Sequence, residues 1–386
     1  MSTVIEDIAL RIPGTVTIDE LDWQVRRAWP ASQGRIAWEA VHPSHGIRVG
    51  YLGEHGVKVL DADHDPKLPG LAELLKEGGR LVSHRPGKRA VVRLADGSFA
   101  KCVRDGRAAD VLVGQRRAAG FLPGFSLPQV LRADASTVVL SVVPGVELHE
   151  PAELGTDWAR AWAESLDAWA KVPLTSTAMP IHDAAAEVDV LRTWRDRALP
   201  VLTAASGNQA SIRPDDLDAL IAKVTGELTG GAISDPRADP NAEATGEPTG
   251  GTASARGEPF GLIHRDLHDK QIMWDPVAGP GLLDVDTACL GERALDLGNL
   301  RAHARWRTEQ GLWTTTEAAV VIDEIDRTAS AAGIDPGRVG VYERATLIRL
   351  ACVYAFRPAW RDRAGALLDA VEASWSGAVR RPTSTR

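Results

Sequence analysis

The residues best suited to chemistry lie in one stretch, Gly261-Leu262-Ile263-His264-Arg265-Asp266-Leu267-His268-Asp269-Lys270-Gln271-Ile272-Met273-Trp274-Asp275. An apolar run leads into His264-Arg265-Asp266, and a side-chain amide follows at Gln271. Eighteen residues beyond Asp266, Leu282-Leu283-Asp284-Val285-Asp286 ends another apolar run in carboxylates. Phosphoryl transfer to a hydroxyl needs such a set: one carboxylate to orient and deprotonate the acceptor, and oxygen ligands for Mg²⁺ beside the nucleotide phosphates. Asp266 suits the first task; Gln271 and Asp284 suit the second. A His-x-Asp alone, or a lone strand-end Asp, more often serves a turn. It is the order of the pieces, downstream of a β-rich half, that favours the functional reading. His264 reads as a residue that holds the loop backbone rather than a proton carrier.

The composition limits what the rest of the chain does. The 386 residues carry 44 basic and 52 acidic side chains, a net charge of −8, with 44% apolar residues. At roughly 150 residues per domain, this allows two or three globular units. A mild acidic excess lacks the clustered cations of a general nucleic-acid binder, so no nucleic-acid partner is expected. Cys102, Cys289 and Cys352 are too few and too far apart for a disulfide framework or a four-ligand zinc site, which suits a reducing compartment. Glu6 and Asp7 stand where a signal peptide needs a basic start, and no run of about 18 apolar residues occurs. A cytoplasmic protein with no membrane association is expected. Of the 20 aromatic residues 12 are Trp, whose first use is core packing and whose second is a flat face for a sugar ring or cation.

The elements that must position these residues fall into three parts. Residues 1–80 read as a β-rich cap, with extended runs at 47–52 and 57–60 about Gly53-Glu54-His55-Gly56 and an end near Asp65-Pro66. A short helix is predicted at 71–76. From 81 to 144 the order is β-β-β-α-β-β: strands at 81–83, 90–94 and 99–104, a helix at 107–119, then strands at 129–131 and 138–143. From 145 to 386 the pattern is mainly helical. Trp158, Trp162, Leu166 and Trp169 share one helix face, 217–228 is a helix, and 294–377 is mostly helical with breaks at Pro336-Gly337 and Arg357-Pro358. Between them, 229–259 reads as a flexible low-complexity insert. There Gly226-Glu227-Leu228-Thr229-Gly230-Gly231 recurs as Gly246-Glu247-Pro248-Thr249-Gly250-Gly251.

With these motifs, residues from about 80 to 375 resemble the aminoglycoside phosphotransferase family. This is the small-molecule branch of the protein-kinase-like fold that also holds choline, fructosamine and homoserine kinases. The resemblance implies an α+β, bilobal protein-kinase-like fold, here with the β-rich cap in front, using ATP and Mg²⁺ on a small-molecule acceptor. It implies Asp266 as catalytic base, and Gln271 and Asp284 as metal ligands. Asp296, in Gly291-Glu292-Arg293-Ala294-Leu295-Asp296-Leu297-Gly298, is structural at a helix start. Most of the family has Asn at the position of Gln271. The pattern His264-x-Asp266-x-His268-x-x-Gln271 is similar to the loop of bacterial maltokinases and glucosamine kinases, which tilts the acceptor toward a sugar or aminosugar. Asp284-Val285-Asp286-Thr287-Ala288 departs from the maltokinase version of the next motif.

On the nucleotide side, Lys101 resembles the strand lysine that contacts the α- and β-phosphates, and Asp110 is the nearest acidic partner on the predicted helix. Ser141-Val142-Val143-Pro144-Gly145 resembles the hinge that pairs with the adenine edge, which assigns Ser141 and Val143 to the nucleotide. A Gly-x-Gly-x-x-Gly loop is absent; the 84–89 turn has one glycine, with Arg85, Lys88 and Arg89 available to phosphate. For the acceptor, residues 301–363 hold ten Arg against eight acids, interleaved with Trp. The substrate candidates are therefore Arg305, Trp306, Arg357 and Trp360, together with Asp286, facing a neutral, weakly basic or anionic ring. Solvated Arg and buried Trp explain the same residues. The rival function is a catalytically weak nucleotide-binding regulatory module of the same fold. A protein kinase is disfavoured by the poor glycine loop and the missing Ala-Pro-Glu segment.

Overall fold

Short apolar alternations build the start of the chain into an antiparallel sheet of five strands in sequential order. These are β1 (Thr15–Ile18), β2 (Leu21–Pro30), β3 (Ile36–His42), β4 (Gly46–Gly53) and β5 (Gly56–Val59). The computed structural model describes residues 12–174, 179–204, 212–230 and 259–375. Nearly all of the low-complexity stretch 229–259, and the second copy of its repeat, lie outside the described residues.

The sheet's inner face, with Trp23, Val25, Ala28, Ile36, Trp38 and Ala40, joins the core of the helical half. Its outer order depends on one buried acid. Glu39 is 0% exposed and accepts hydrogen bonds from Arg26, from Arg27 and, at 2.7 Å, from the backbone N–H of His84 in the next sheet. Sequence periodicity catches β4 and β5 but not the three strands before them. A register shift between Val25 and Arg27 breaks the alternation of β2, and the cations there gain their partner only across the strand.

Next come α1 (Leu71–Lys76) and a second antiparallel sheet, ordered β6-β7-β8-β10-β9. Its strands are β6 (Arg80–Arg85), β7 (Arg89–Arg93), β8 (Phe99–Val103), β9 (Val130–Ala133) and β10 (Thr137–Leu140), with α2 (Ala108–Ala118) between β8 and β9. Leu68, Leu71 and Leu74 pack on Ala90, Val92, Ala100 and Cys102, while α2 covers Val138 and Leu140. The β6–β7 turn is bolted to the chain before it by Asp65, which accepts from Gly87 N–H at 2.6 Å and pairs with His84 Nε2 at 3.0 Å.

The helical half carries two small sheets that deliver the loops of interest. One joins β11 (Val146–Glu147), β14 (Ile272–Asp275) and β15 (Gly279–Leu282). The other joins β12 (Ile181–His182), β16 (Cys289–Glu292) and β13 (Phe260–Ile263), with β12 parallel to β16. Around them pack α3 (Pro151–Leu154), α4 (Trp158–Ala170), α5 (Ala184–Ala204), α6 (Pro214–Thr229), α7 (Ala294–Glu309), α8 (Thr315–Ala331), α9 (Pro336–Tyr354) and α10 (Gly365–Trp375). The architecture is thus α+β: a β-rich lobe, a helical lobe and a β-rich cap. Trp158, Trp162 and Trp169 are buried, and Trp158 meets Trp313 edge to face at 5.0 Å, so this Trp face is core. The three cysteines are buried, and burial pushes their thiols up to about 12, which makes them inert. Among the described residues no helix is long and apolar enough to cross a membrane.

Removing the Glu39 carboxylate leaves two guanidinium groups and a buried N–H without their acceptor. Glu39→Ala is expected to lower unfolding stability by about 3 kcal/mol in urea titrations, with a loss below about 1 kcal/mol showing that the arginines find water instead.

Candidate active site

β13 ends at Ile263, and the loop that follows is fastened residue by residue to α7. Asp296, 0% exposed, accepts from the backbone N–H groups of His264 and Arg265, both at 2.9 Å, and from the Trp169 indole at 3.2 Å. Burial pushes its carboxyl up, against the pull of His264 and these donors. Arg265 has φ +73°, a left-handed conformation that costs a non-glycine residue about 1 kcal/mol or more. It is held from both sides, because Asn299 Nδ2, one turn along α7, donates to the Arg265 carbonyl at 2.8 Å. Further on, Arg307 grips Asp269 with two bonds of 2.8 and 3.0 Å, and His149 Nδ1 meets the same carboxylate at 2.5 Å. The loop is therefore preset before any ligand arrives. His264 Nε2 donates to the Leu283 carbonyl at 2.9 Å, and Thr287 Oγ1 donates to the His264 carbonyl, so His264 holds backbone.

β14 and β15 place the second motif beside the first: Leu283 N–H bonds the Gln271 carbonyl at 2.8 Å, one residue before Asp284. Asp284 is itself left-handed at φ +51°. Lys101 on β8 reaches both acids, with Nζ 2.8 Å from Asp284 and 2.7 Å from Asp286. Burial works against the Lys101 charge, but the two carboxylates outweigh it and raise its pKa. For Asp284, burial is likewise outweighed by Lys101 and Arg89, which hold the carboxyl well below the usual range. Gln271 Oε1 and Asp286 Oδ1 are buried and have no hydrogen-bond partner. Those two oxygens and Asp284 form a hard-oxygen donor set that fits Mg²⁺.

Asp266 faces a different space. Arg349 on α9 sits 3.2 Å from its carboxylate and is steadied by Asn299 Oδ1 at 3.0 Å. Burial disfavours the charged form of Asp266, but the Arg349 guanidinium and the nearby His268 hold its carboxyl below the ordinary value. Its side chain remains 44% exposed, on the floor of a cavity of about 420 Å³. α5 forms the opposite wall, with Glu187, Asp189, Trp194 and Arg197. Glu187 is held by His182 at 2.8 Å. None of these α5 residues was legible as a site residue. Pro200 inside the helix and a mixed face blur its period, although Trp194 beside charged residues was a usable signal.

Lys101 and Asp284 come together, and the Gln271 backbone joins them through Leu283, whereas Asp266 faces its own cavity; several other expectations need correction. Asp110 does not pair with Lys101: it turns outward to Arg107 at 2.6 Å, and Asp286 takes the lysine instead. Asp286 thus lies with Lys101 and Asp284 and not among the residues lining the cavity at Asp266. Ser141 N–H donates to the Gln129 carbonyl and its hydroxyl accepts from Gln129 N–H, which ties this segment to the residue before β9. Val143 is buried and would clash with a Cβ on Gly281 at 2.2 Å, which places it against β15.

The acceptor candidates of the C-terminal helices are spent elsewhere. Trp306 is fully buried against Tyr354, and Arg305 pairs with Glu343. Arg357 donates to the Ala28 carbonyl and lies 5.4 Å from the Trp29 ring, which ties the cap to the helical lobe. Trp360 packs partly buried on the main core. Much of the local excess of arginine is neutralised internally, by Asp326, Glu343, Asp269, Glu292 and Glu227.

A family model described as "Phosphotransferase enzyme family" matches residues 80–339. No match is found among curated proteins. Of the solved structures, aminoglycoside phosphotransferase APH(3'')-Id from Streptomyces rimosus, in complex with ADP and streptomycin, is 20% identical. That match covers 74% of this chain and 98% of that one, with a TM-score of 0.50. A glucosamine kinase in complex with glucosamine, ADP and inorganic phosphate is 14% identical, covers 92% of this chain and 96% of that one, and also has a TM-score of 0.50. The unmatched remainder in the second case is too small to leave out the cap, so the shared fold extends into the first 79 residues.

Helix α2 sits on the Asp284–Asp286 turn through Gly114, where an added Cβ would lie 2.6 Å from the Asp286 Cα. Gly114→Ala is expected to cost about 1–3 kcal/mol and to speed hydrogen exchange at residues 284–288 specifically. Unchanged exchange there would show that α2 slides without moving the turn.

Proposed function

This chain belongs to the phosphotransferase enzyme family and is a small-molecule kinase, and on that premise we propose that it moves the γ-phosphoryl group of ATP to a hydroxyl of a sugar or aminosugar. The observation that carries this reading is the position of Asp266. It is kept ionised by Arg349 and is open to a cavity of about 420 Å³, a volume in the range of small-ligand sites.

In this reading Asp266 accepts the hydroxyl proton and aims the oxygen at the phosphorus, while the anchored loop holds it at fixed height. Lys101 steadies the nucleotide phosphates, and Gln271, Asp284 and Asp286 hold Mg²⁺. When bound, Mg²⁺ supplies positive charge to offset that of the phosphates. Trp194 offers an apolar face to one side of a ring, and Glu187 and Asp189 offer acceptors for hydroxyl or ammonium groups. The sugar preference rests on that lining and on the catalytic loop's likeness to those of maltokinases and glucosamine kinases. Arg197 and Arg349 on the same walls weigh against a polycation.

Acceptor-dependent ADP release with Mg·ATP, measured over sugars, aminosugars, aminoglycosides and amino alcohols, tests the proposal. A sugar or aminosugar is expected to raise the rate, and Asp266→Asn to cut it about a hundredfold or more without loss of ATP binding. ATP binding with no acceptor effect would favour a regulatory module.

The pH profile offers a second test. Because Arg349 depresses the pKa of Asp266, the base stays ionised throughout the neutral range, and the acid limb of kcat/KM lies below ordinary carboxylate values. Arg349→Gln is expected to move that limb upward. An unmoved limb, or one near pH 6.5 in the wild type as for a histidine base, would remove Asp266 from the role.

A further inference from the structure

The cap and the β6–β7 turn enclose a second space, of about 210 Å³, whose lining includes none of Lys101, Asp284 and Asp286. Five cations line it: Arg35 from the cap, Lys67 from the segment before α1, Arg85 and Lys88 from the turn, and Arg104 after β8. No carboxylate is among its lining residues. Among the described residues none of the five makes an ion pair, whereas the neighbouring Arg26 and Arg27 share Glu39, and Arg89 approaches Asp284 at 3.9 Å. The nearest buried acid, Asp65, already serves His84 and the N–H groups of Gly87 and Lys67.

Such an arrangement is unfavourable by itself. Burial, and then Arg89 and Arg197, lower the Arg85 pKa to about 10, and burial with Arg104, Arg85 and Lys67 lowers that of Lys88. In a chain of net charge −8, five cations lining one cleft, none of them ion-paired among the described residues, mark a place where an anion relieves the repulsion. Close contacts also shape the cleft. Arg35 lies over the Tyr51 ring at 4.9 Å, and Gly87, at φ +64°, lets the turn nest against Tyr51 and Lys67. A Cβ there would meet the Tyr51 hydroxyl at 2.9 Å. Three guanidinium forks, two ammonium groups and a phenol suit the several acceptor oxygens of a phosphate.

We propose that this cleft between the cap and the β6–β7 turn binds a phosphate-bearing small molecule, at a site separate from the reacting centre. The bound anion would bridge the cap to the turn whose next residue, Arg89, faces Asp284. It thereby stiffens the strand pair that covers the nucleotide-side residues. The inference stands on the cleft alone and does not depend on which acceptor the enzyme uses.

The test is calorimetric titration of the full chain at low ionic strength, with Mg²⁺ and a saturating non-hydrolysable ATP analogue so that the nucleotide phosphate subsites are filled. Inorganic phosphate and a hexose 6-phosphate are the probes, and the free hexose is the control. One phosphate is expected to bind in the analogue's presence. Lys67→Gln combined with Arg104→Gln, both at exposed positions, is expected to weaken it about tenfold or more while leaving analogue affinity unchanged. Arg35→Gln is expected to act in the same direction. Equal affinity for both probes supports recognition of the phosphate alone, and tighter binding of the hexose phosphate supports a phosphorylated sugar as ligand. The proposal fails if phosphate does not bind beside the analogue, if the double variant binds it as the wild type does, or if the free hexose binds as well as its phosphate.

Discussion

A single buried carboxylate, Asp296, sets the geometry on which the proposed chemistry depends. It faces no ligand and is walled from solvent, yet it receives two consecutive backbone N–H groups and an indole N–H. Those bonds hold Arg265 in a conformation it would otherwise avoid, and the direction of the Asp266 side chain follows from that turn. Burying an acid is costly, and here the offset is structural: three donors that would themselves lack partners find one. A loop so constrained has little to reorganise when substrates arrive, which is the condition under which a positioned base is effective.

The charges around this anchor divide into two self-contained groups. Lys101, Asp284 and Asp286 form one, joined to the catalytic loop through the pairing of Gln271 with Leu283. Asp266, Arg349 and Asn299 form the other, facing α5. Asn299 belongs to both the backbone anchor and the Asp266 group, since its amide donates to Arg265 and accepts from Arg349. The cap adds a third layer of control at a distance. Glu39 and Asp65 tie it to His84 and Gly87, so the β6–β7 turn is held by residues that precede its own sheet.

Helix α7 shows why some of this was hidden from pattern reading. Asp296, Asn299, His303 and Arg307 recur at i, i+3, i+7 and i+11, a helical face of the kind normally written in apolar residues, and all four are buried. Hydrophobic periodicity ranks the faces that bury carbon, such as that of α4 with its Trp residues; it places α7 in a helical stretch but not its polar face, where Asp296 and Asn299 meet the 264–265 backbone and Arg307 meets Asp269. The same blindness misassigned Arg305, Trp306, Arg357 and Trp360. Their types suit a sugar site, but each is spent on the core, on Glu343 or on the cap.

The sequence by itself determined the local chemistry: the loop carrying Asp266 and Gln271, the strand end carrying Asp284, the strand carrying Lys101, and the β-rich and helical halves that hold them. These are readable because a motif's spacing, an alternating strand and a strongly apolar helix face are properties of neighbours along the chain. Only the tertiary structure decided which residues from distant segments complete each site. It brought Asp286 rather than Asp110 to Lys101, Arg349 to Asp266, α5 to the cavity at Asp266 and the cap's Arg35 to the β6–β7 turn. The physical reason is that ion pairs and cavities form between side chains far apart along the chain, as Asp266 and Arg349, 83 residues apart, and Lys101 and Asp284, 183 apart, do. The local pattern at either end is compatible with many partners until packing selects one.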